Sequence, residues 1–203
     1  MKLIASLTSP YARKVRVVLA EKRIECELEW CNPWEADNAA ERLSPLAKVP
    51  LLVLDDEQTL FDSRVIVDYL DMVSPVGRLL AEGGRQRIMV KRWEALADGV
   101  CDAVVAVVLE QRRVSQQQDA TWIARQQAKI AAGVAAIAGD LGSKNWCVGD
   151  TFTLADIAVG CMLGYLDLRW AVFNWRDAHP NLAKLFDKLN QRPAFRDTAP
   201  PVA

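Results

Sequence analysis

Four short stretches carry residue types that chemistry can use. Thr8-Ser9-Pro10-Tyr11 places two hydroxyls ahead of a proline, and Lys48-Val49-Pro50 places a cation and a proline ahead of an apolar run. Asp62-Ser63 sets a carboxylate and a hydroxyl before a periodic apolar stretch. Gly149-Asp150-Thr151-Phe152-Thr153-Leu154-Ala155-Asp156-Ile157 does the same further along. Each has an ordinary structural reading. Ser9 before Pro10 fits a helix N-cap with proline at the first helical position. Pro50 fits an edge strand. Asp62-Ser63 fits a second N-cap. Thr153-Leu154-Ala155-Asp156 has the form of a capping box, with Asp in place of Glu or Gln, and is read as a folding signal. A helix start also presents unpaired N–H donors and the positive end of the helix dipole, which suit an anion.

Other chemistries find little support. The one histidine, His179, is followed by Pro180, and Cys26, Cys31, Cys101, Cys147 and Cys161 are scattered without a C-x-x-C pair. That pattern predicts no metal site and no disulfide framework, and it fits a reduced cytoplasm. No G-x-S-x-G elbow marks a serine hydrolase. The chain of 203 residues has 25 basic and 26 acidic side chains and a net charge of -1, so no charge excess points to nucleic acid or an anionic membrane. Its apolar fraction of 51% excludes bulk disorder, yet no apolar run approaches the ~20 residues needed to cross a bilayer. The short apolar stretch after Met1 is not expected to act as a secretory signal.

The elements that must position these residues follow from the hydrophobic pattern. Leu3–Leu7 predicts a strand, and Tyr11, Val15, Val18 and Leu19 predict a helix beginning at Ser9-Pro10. Residues 25–30 alternate with period two, as a half-buried strand does. Pro33 and Pro45 interrupt a weak, irregular helix. Residues 49–54 and 58–61 predict two strands around the turn Asp55-Asp56-Glu57, and Ile66, Tyr69, Leu70 and Val73 share a helix face. The order βαβ, irregular helix, ββα predicts a small α/β domain over residues 1–76. Ser74, Pro75, Gly77, Gly83 and Gly84 predict a linker. Beyond it, the stripes Met89-Trp93-Leu96-Val100-Val104, Ile123-Ile130-Val134-Ile137-Leu141, Leu154-Ala158-Cys161-Tyr165 and Leu182-Leu185-Phe186-Leu189 predict a helical bundle over residues 84–203. Ala95, Ala97, Ala103 and Val105 extend the first stripe beyond one face, which predicts burial on more than one side and a homodimer.

Taken together, the Ser-Pro helix start after the first strand, the Val-Pro before a buried strand, the acidic-Ser helix start and the helical second half with Thr-Leu-Ala-Asp-Ile resemble a cytosolic glutathione S-transferase. The resemblance runs from Lys2 to about Phe195, is nearest to small bacterial members with a Ser-Pro motif, and extends to the serine-type tau and zeta classes of plants and animals. It implies a thioredoxin-like N-terminal domain, an all-helical C-terminal domain, a cytoplasmic homodimer, glutathione as co-substrate and a role in detoxification. It further implies that Ser9 donates a hydrogen bond to the glutathione sulfur. A free thiol of pKa ~8.5 is about 3% ionised at pH 7. A shift of about two units, or ~2.7 kcal/mol, makes roughly three quarters of it thiolate. A charged hydrogen bond contributes ~1.5–3 kcal/mol and a helix terminus ~0.3–1, so the two suffice without a metal or a histidine base.

By the same resemblance Pro50 is cis, and the Val49 backbone pairs with the cysteinyl unit as an added strand does. Asp62 faces the γ-glutamyl ammonium, and Ser63 with its helix start faces the α-carboxylate. Lys48 either reaches the glycyl carboxylate or faces solvent. Many tau-like members carry Glu where Asp62 stands, one methylene longer. The small electrophilic or apolar second substrate would meet residues such as Tyr11, Trp34, Trp93 and Val100 to Glu110. Two other activities stay open: a glutathione-dependent thiol reductase or peroxidase, which usually has Cys at the position of Ser9, and a non-catalytic protein-binding module of the same fold.

Overall fold

The chain opens with β1 (Lys2–Ala5), in which Leu3, Ile4 and Ala5 are buried. The computed structural model describes residues 1–201. β1 is shorter than the apolar run Leu3–Leu7 predicts. The Ser9 N–H donates to the Ser6 carbonyl at 3.2 Å, which folds 6–9 into a turn and leaves Leu7 exposed. α1 (Pro10–Glu21) buries Ala12, Val15, Val18 and Leu19. β2 (Glu27–Trp30) pairs parallel to β1 at one edge of the sheet, and most of its residues are exposed rather than half-buried. The irregular helix is α2 (Ala39–Leu43), capped by Asn38 Oδ1, which accepts from the Ala40 and Glu41 N–H groups. β3 (Leu51–Val53) and β4 (Thr59–Leu60) form a hairpin, followed by α3 (Ser63–Val73). The strand order is β2-β1-β3-β4, with β1–β3 and β3–β4 antiparallel.

Among the described residues, everything after α3 that is regular is helical. α4 (Gly84–Gln111), a 3₁₀ turn at Ser115–Gln117, α5 (Ala120–Leu141), α6 (Leu154–Arg169), α7 (Trp175–Ala178), α8 (Pro180–Asn190) and α9 (Pro193–Asp197) follow in order. The thioredoxin-like mixed sheet with its helices, then the helical second half, is the fold expected from the sequence. In α4 the buried stripe is Val90, Trp93, Ala97, Val100, Val104 and Val107, one residue displaced from Met89 and Leu96, which are half-buried. α4 packs along both α5 and α6, so its buried arc is wide. Gly133 permits the α5 approach, since a Cβ there would collide with Val100. Gly142, at φ 55°, closes α5 in a conformation that costs an L-residue.

The chain divides into two units, 1–80 together with the segment from Arg192 onward, and 81–191. The helical domain read over 84–203 thus runs past this division, and Val202 and Ala203 lie outside the described residues. The C-terminal segment buries Ala194 and Phe195 and meets α1 through polar contacts. Arg192 pairs with both carboxylate oxygens of Glu21 at 2.7 and 2.6 Å, and Arg13 donates to the Phe195 carbonyl at 3.1 Å. A buried pair, Lys22–Asp71 at 2.8 Å, links the end of α1 to α3, and Asp71 also accepts from the Leu79 and Leu80 N–H groups.

Candidate functional site

The sheet register brings three separate chain segments to one place. Ile4 lies opposite Leu51 in the antiparallel β1–β3 pair, so the C-terminal end of β1 meets the N-terminal end of β3. Leu52 lies opposite Leu60, so the C-terminal end of β4 meets that same end. Ser9 follows β1, Val49-Pro50 precedes β3 and Asp62-Ser63 follows β4. All therefore lie at one end of the sheet, across two strand spacings, or about 10 Å.

Each segment is held by local chemistry. Ser9 is half-buried and caps α1, with Oγ accepting from the Ala12 N–H at 3.2 Å. That bond uses a lone pair and leaves the hydroxyl proton available to an acceptor. Asp62 is exposed and caps α3, with Oδ1 accepting from the Arg64 N–H at 2.9 Å. Ser63, the first residue of α3, is 2% exposed. The Val49-Pro50 and Phe61-Asp62 peptide bonds are both cis. The Val49 and Phe61 side chains turn inward and pack on Ile4, Cys31, Ala39, Ala40 and Leu51, a cluster under this end of the sheet. Ser44 stands outside the four sequence motifs. Its Oγ accepts from the Leu46 N–H at 3.2 Å and its carbonyl from the Ala47 N–H at 3.1 Å, shaping the turn that leads to Val49. The Ser44-Pro45 pair was the available signal. Lys48 is exposed beside Val49.

The arrangement offers two capped helix starts of like polarity, one hydroxyl proton and one carboxylate around an exposed end of a sheet. It suits an extended, zwitterionic ligand with an anionic reacting atom. The cysteines do not supply an alternative nucleophile. Cys31, Cys101, Cys147 and Cys161 are buried, and burial raises the half-buried Cys26 thiol, reinforced by the carboxylates of Glu27 and Asp55 and opposed by the N-terminal ammonium. No group of His, Cys, Asp and Glu among the described residues could hold a metal ion, and no helix is long and apolar enough to cross a membrane. A shallow groove of about 800 Å³ beside α7 and α8, lined by Arg176, Lys184, Asp187 and Lys188, contains none of the site residues.

Family models match both parts of the chain: a glutathione S-transferase N-terminal domain over residues 3–75 and a glutathione S-transferase C-terminal domain over 120–188. The chain belongs to the glutathione S-transferase family. An uncharacterized GST-like protein of Escherichia coli K12, YibF, is 37% identical over 203 residues, all of both chains. The maleylacetoacetate isomerase of Pseudomonas aeruginosa is 29% identical over 98% of this chain and 96% of its own. Among solved structures, a glutathione S-transferase from Methylobacillus flagellatus with glutathione bound superposes with a TM-score of 0.96, at 48% identity over 98% of this chain and 99% of that one. Within this family frame, the candidate electrophile residues divide between the units. Tyr11 is half-buried and Trp34 exposed in the first, while Trp93 is buried in α4 of the second.

Proposed function

We propose that this chain is a serine-type glutathione transferase that binds glutathione at the shared end of β1, β3 and β4. The observation that carries the reading is the convergence of Ser9, Val49 and Asp62-Ser63 from three strand ends. An extended tripeptide spans about 10 Å, the width of that edge. Val49 offers its backbone to the cysteinyl unit, Asp62 its carboxylate to the γ-glutamyl ammonium, and Ser63 with the α3 N-terminus its donors to the α-carboxylate. Lys48 reaches the glycyl carboxylate. The Ser9 hydroxyl donates to the sulfur while the positive end of α1 favours the thiolate. The thiolate then forms a C–S bond to a small electrophile. Either a leaving group departs with its electron pair, or an activated alkene carbon takes a proton from water. Positioning and thiolate formation supply the acceleration, and Ser9 in place of Cys disfavours the reductase reading. The protein works as a homodimer, for which exposed Val65 and Met72, two turns apart on α3, provide apolar surface.

Calorimetry with glutathione, then absorbance titration of the bound thiol in wild type and Ser9→Ala, tests the reading. The expected result is binding by both, with the bound thiol of wild type ionising below the free thiol and that of the variant shifted up. Conjugation at pH 7 should then fall on the order of tenfold in the variant. Absence of glutathione binding would sink the proposal, and equal thiol titrations would remove Ser9 from it. Light scattering should give about twice 22.6 kDa. A monomer mass at micromolar concentration would end the dimer reading.

A further inference from the structure

The three segments of the candidate site are not carried alike. Ser9 caps α1, a helix of 12 residues, and Ser63 opens α3, a helix of 11. Lys48 and Val49 end a stretch between β2 and β3 whose one regular element is α2, of five residues. So short a helix does not hold itself in water, and the segment depends on specific contacts. These gather on one half-buried side chain, Asn38. Its Oδ1 accepts from the Ala40 and Glu41 N–H groups at 2.9 and 3.2 Å and from the Cys31 thiol at 3.5 Å. Its Nδ2 donates to the Glu35 carbonyl at 2.6 Å. A single amide thereby joins the end of β2, the loop after it and α2.

Both sides of that joint lead to the site. Cys31 is buried, and its N–H donates at 2.8 Å to the carbonyl of Ala5, the last residue of the strand that leads to Ser9. At the far end of α2 the Ser44 N–H donates to the Ala40 carbonyl at 3.1 Å, and the Ser44 turn delivers Lys48. The Val49 side chain is anchored in the cluster under the sheet, whereas Lys48 is exposed and takes its direction from the turn behind it. A cap alone needs only the Asn38 oxygen, so the ties to Glu35 and Cys31 exceed what capping α2 requires. We propose that Asn38 is a positioning residue for the glycyl end of glutathione: it fixes α2 and the Ser44 turn, and so the reach of the Lys48 ammonium to the glycyl carboxylate. The inference rests on the glutathione reading above. Loosening this segment costs affinity at the glycyl end, while the contacts carried by α1 and α3 are kept.

Calorimetry on the full chain compares glutathione with γ-glutamylcysteine ethylamide, which has a methyl group in place of the glycyl carboxylate. Wild type should prefer glutathione. Asn38→Ala should lower glutathione affinity about tenfold and ethylamide affinity less than about twofold. Asn38→Asp keeps the cap and loses the Nδ2 donor, and should fall between the two proteins. In a Lys48→Ala background, Asn38→Ala should cost less than about a further twofold, because the contact it positions is already gone. The bound thiol should titrate as in wild type. A residue that only holds the fold together would weaken both ligands alike, and its effect would add in full to Lys48→Ala. Either result overturns the inference, as does a wild type that binds the two ligands equally or a shifted thiol titration in the variant. If Asn38→Ala does not fold, Asn38→Asp is taken through the same comparisons and decides. A wild type that binds no glutathione is a different result: it ends the glutathione reading itself, and the inference with it.

Discussion

Two capped helix regions use similar residues for opposite ends. At the start of α6, Thr153 and Asp156 form a reciprocal capping box, and Asp156 is fully buried. Its carboxylate accepts from the Cys147 N–H at 2.8 Å, the Thr153 N–H at 2.8 Å and the Thr153 hydroxyl at 3.0 Å. At the sheet end, Ser9 and Asp62 each accept a single backbone N–H and remain half-buried or exposed. The first region is closed: its polar groups answer one another. The second has hydrogen-bonding capacity left over. Local sequence cannot separate a cap that completes a fold from a cap that also meets a ligand. Burial and the number of partners can.

The comparison breaks most visibly at Asp156. Asp156→Ala leaves the Cys147 N–H, the Thr153 N–H and the Thr153 hydroxyl without their acceptor inside the protein. It should lower stability by about 3–5 kcal/mol in a denaturant titration, with the loss of glutathione binding following only from unfolding. Burial also raises the Asp156 carboxyl above its ordinary 3.8, against the pull of the Cys147 and Thr153 donors. The folded state then holds this proton more tightly than the unfolded state. The contribution of the group is greatest at low pH and declines as pH rises from 3.8 through the raised value. Asp156→Asn should abolish that slope, which denaturant midpoints from pH 3.5 to 7 would read. An unchanged slope would place the titration elsewhere.

Much of this was legible in the sequence because it is local. The caps at Ser9, Asp62 and Thr153 and the stripes that bury Trp93, Val134, Leu154 and Leu189 are written in spacings of three and four residues. The convergence of Ser9, Val49 and Asp62 is a property of strand register and came only through family resemblance. Three features had no local signal. Arg192 meets Glu21 and Lys22 meets Asp71 across long stretches of chain, and a pair of charges in sequence looks solvated until the fold brings it together. β2, at one edge of the sheet, is mostly exposed where its alternation reads as half-buried. Glu94 and Asp98 sit on the buried side of α4, where a stripe argument expects apolar residues only.

Ser9 lies between the two extremes. If it serves as cap and donor together, Ser9→Ala should cost about 1 kcal/mol of stability, the usual loss for a cap. Its effect on the bound thiol should be larger than that. A loss of several kcal/mol in stability with no change in thiol titration would move Ser9 to the closed class with Asp156.

Asp62→Asn sharpens the distinction with the smallest disturbance. Asn caps a helix about as well as Asp, and its side-chain oxygen can accept the Arg64 N–H as Oδ1 does now. Because Asp62 is exposed, no buried group loses a partner. Stability should therefore stay within about 0.5 kcal/mol of wild type. The substitution removes only the negative charge. If that charge faces the γ-glutamyl ammonium, calorimetry should show glutathione binding weakened by about 1.5–3 kcal/mol, or roughly ten- to a hundredfold, while the fold is unaffected. Affinity for a glutathione analogue lacking the α-amino group should be the same in both proteins. A stability loss without an affinity loss would mean that Asp62 is a cap alone, as closed in function as Asp156.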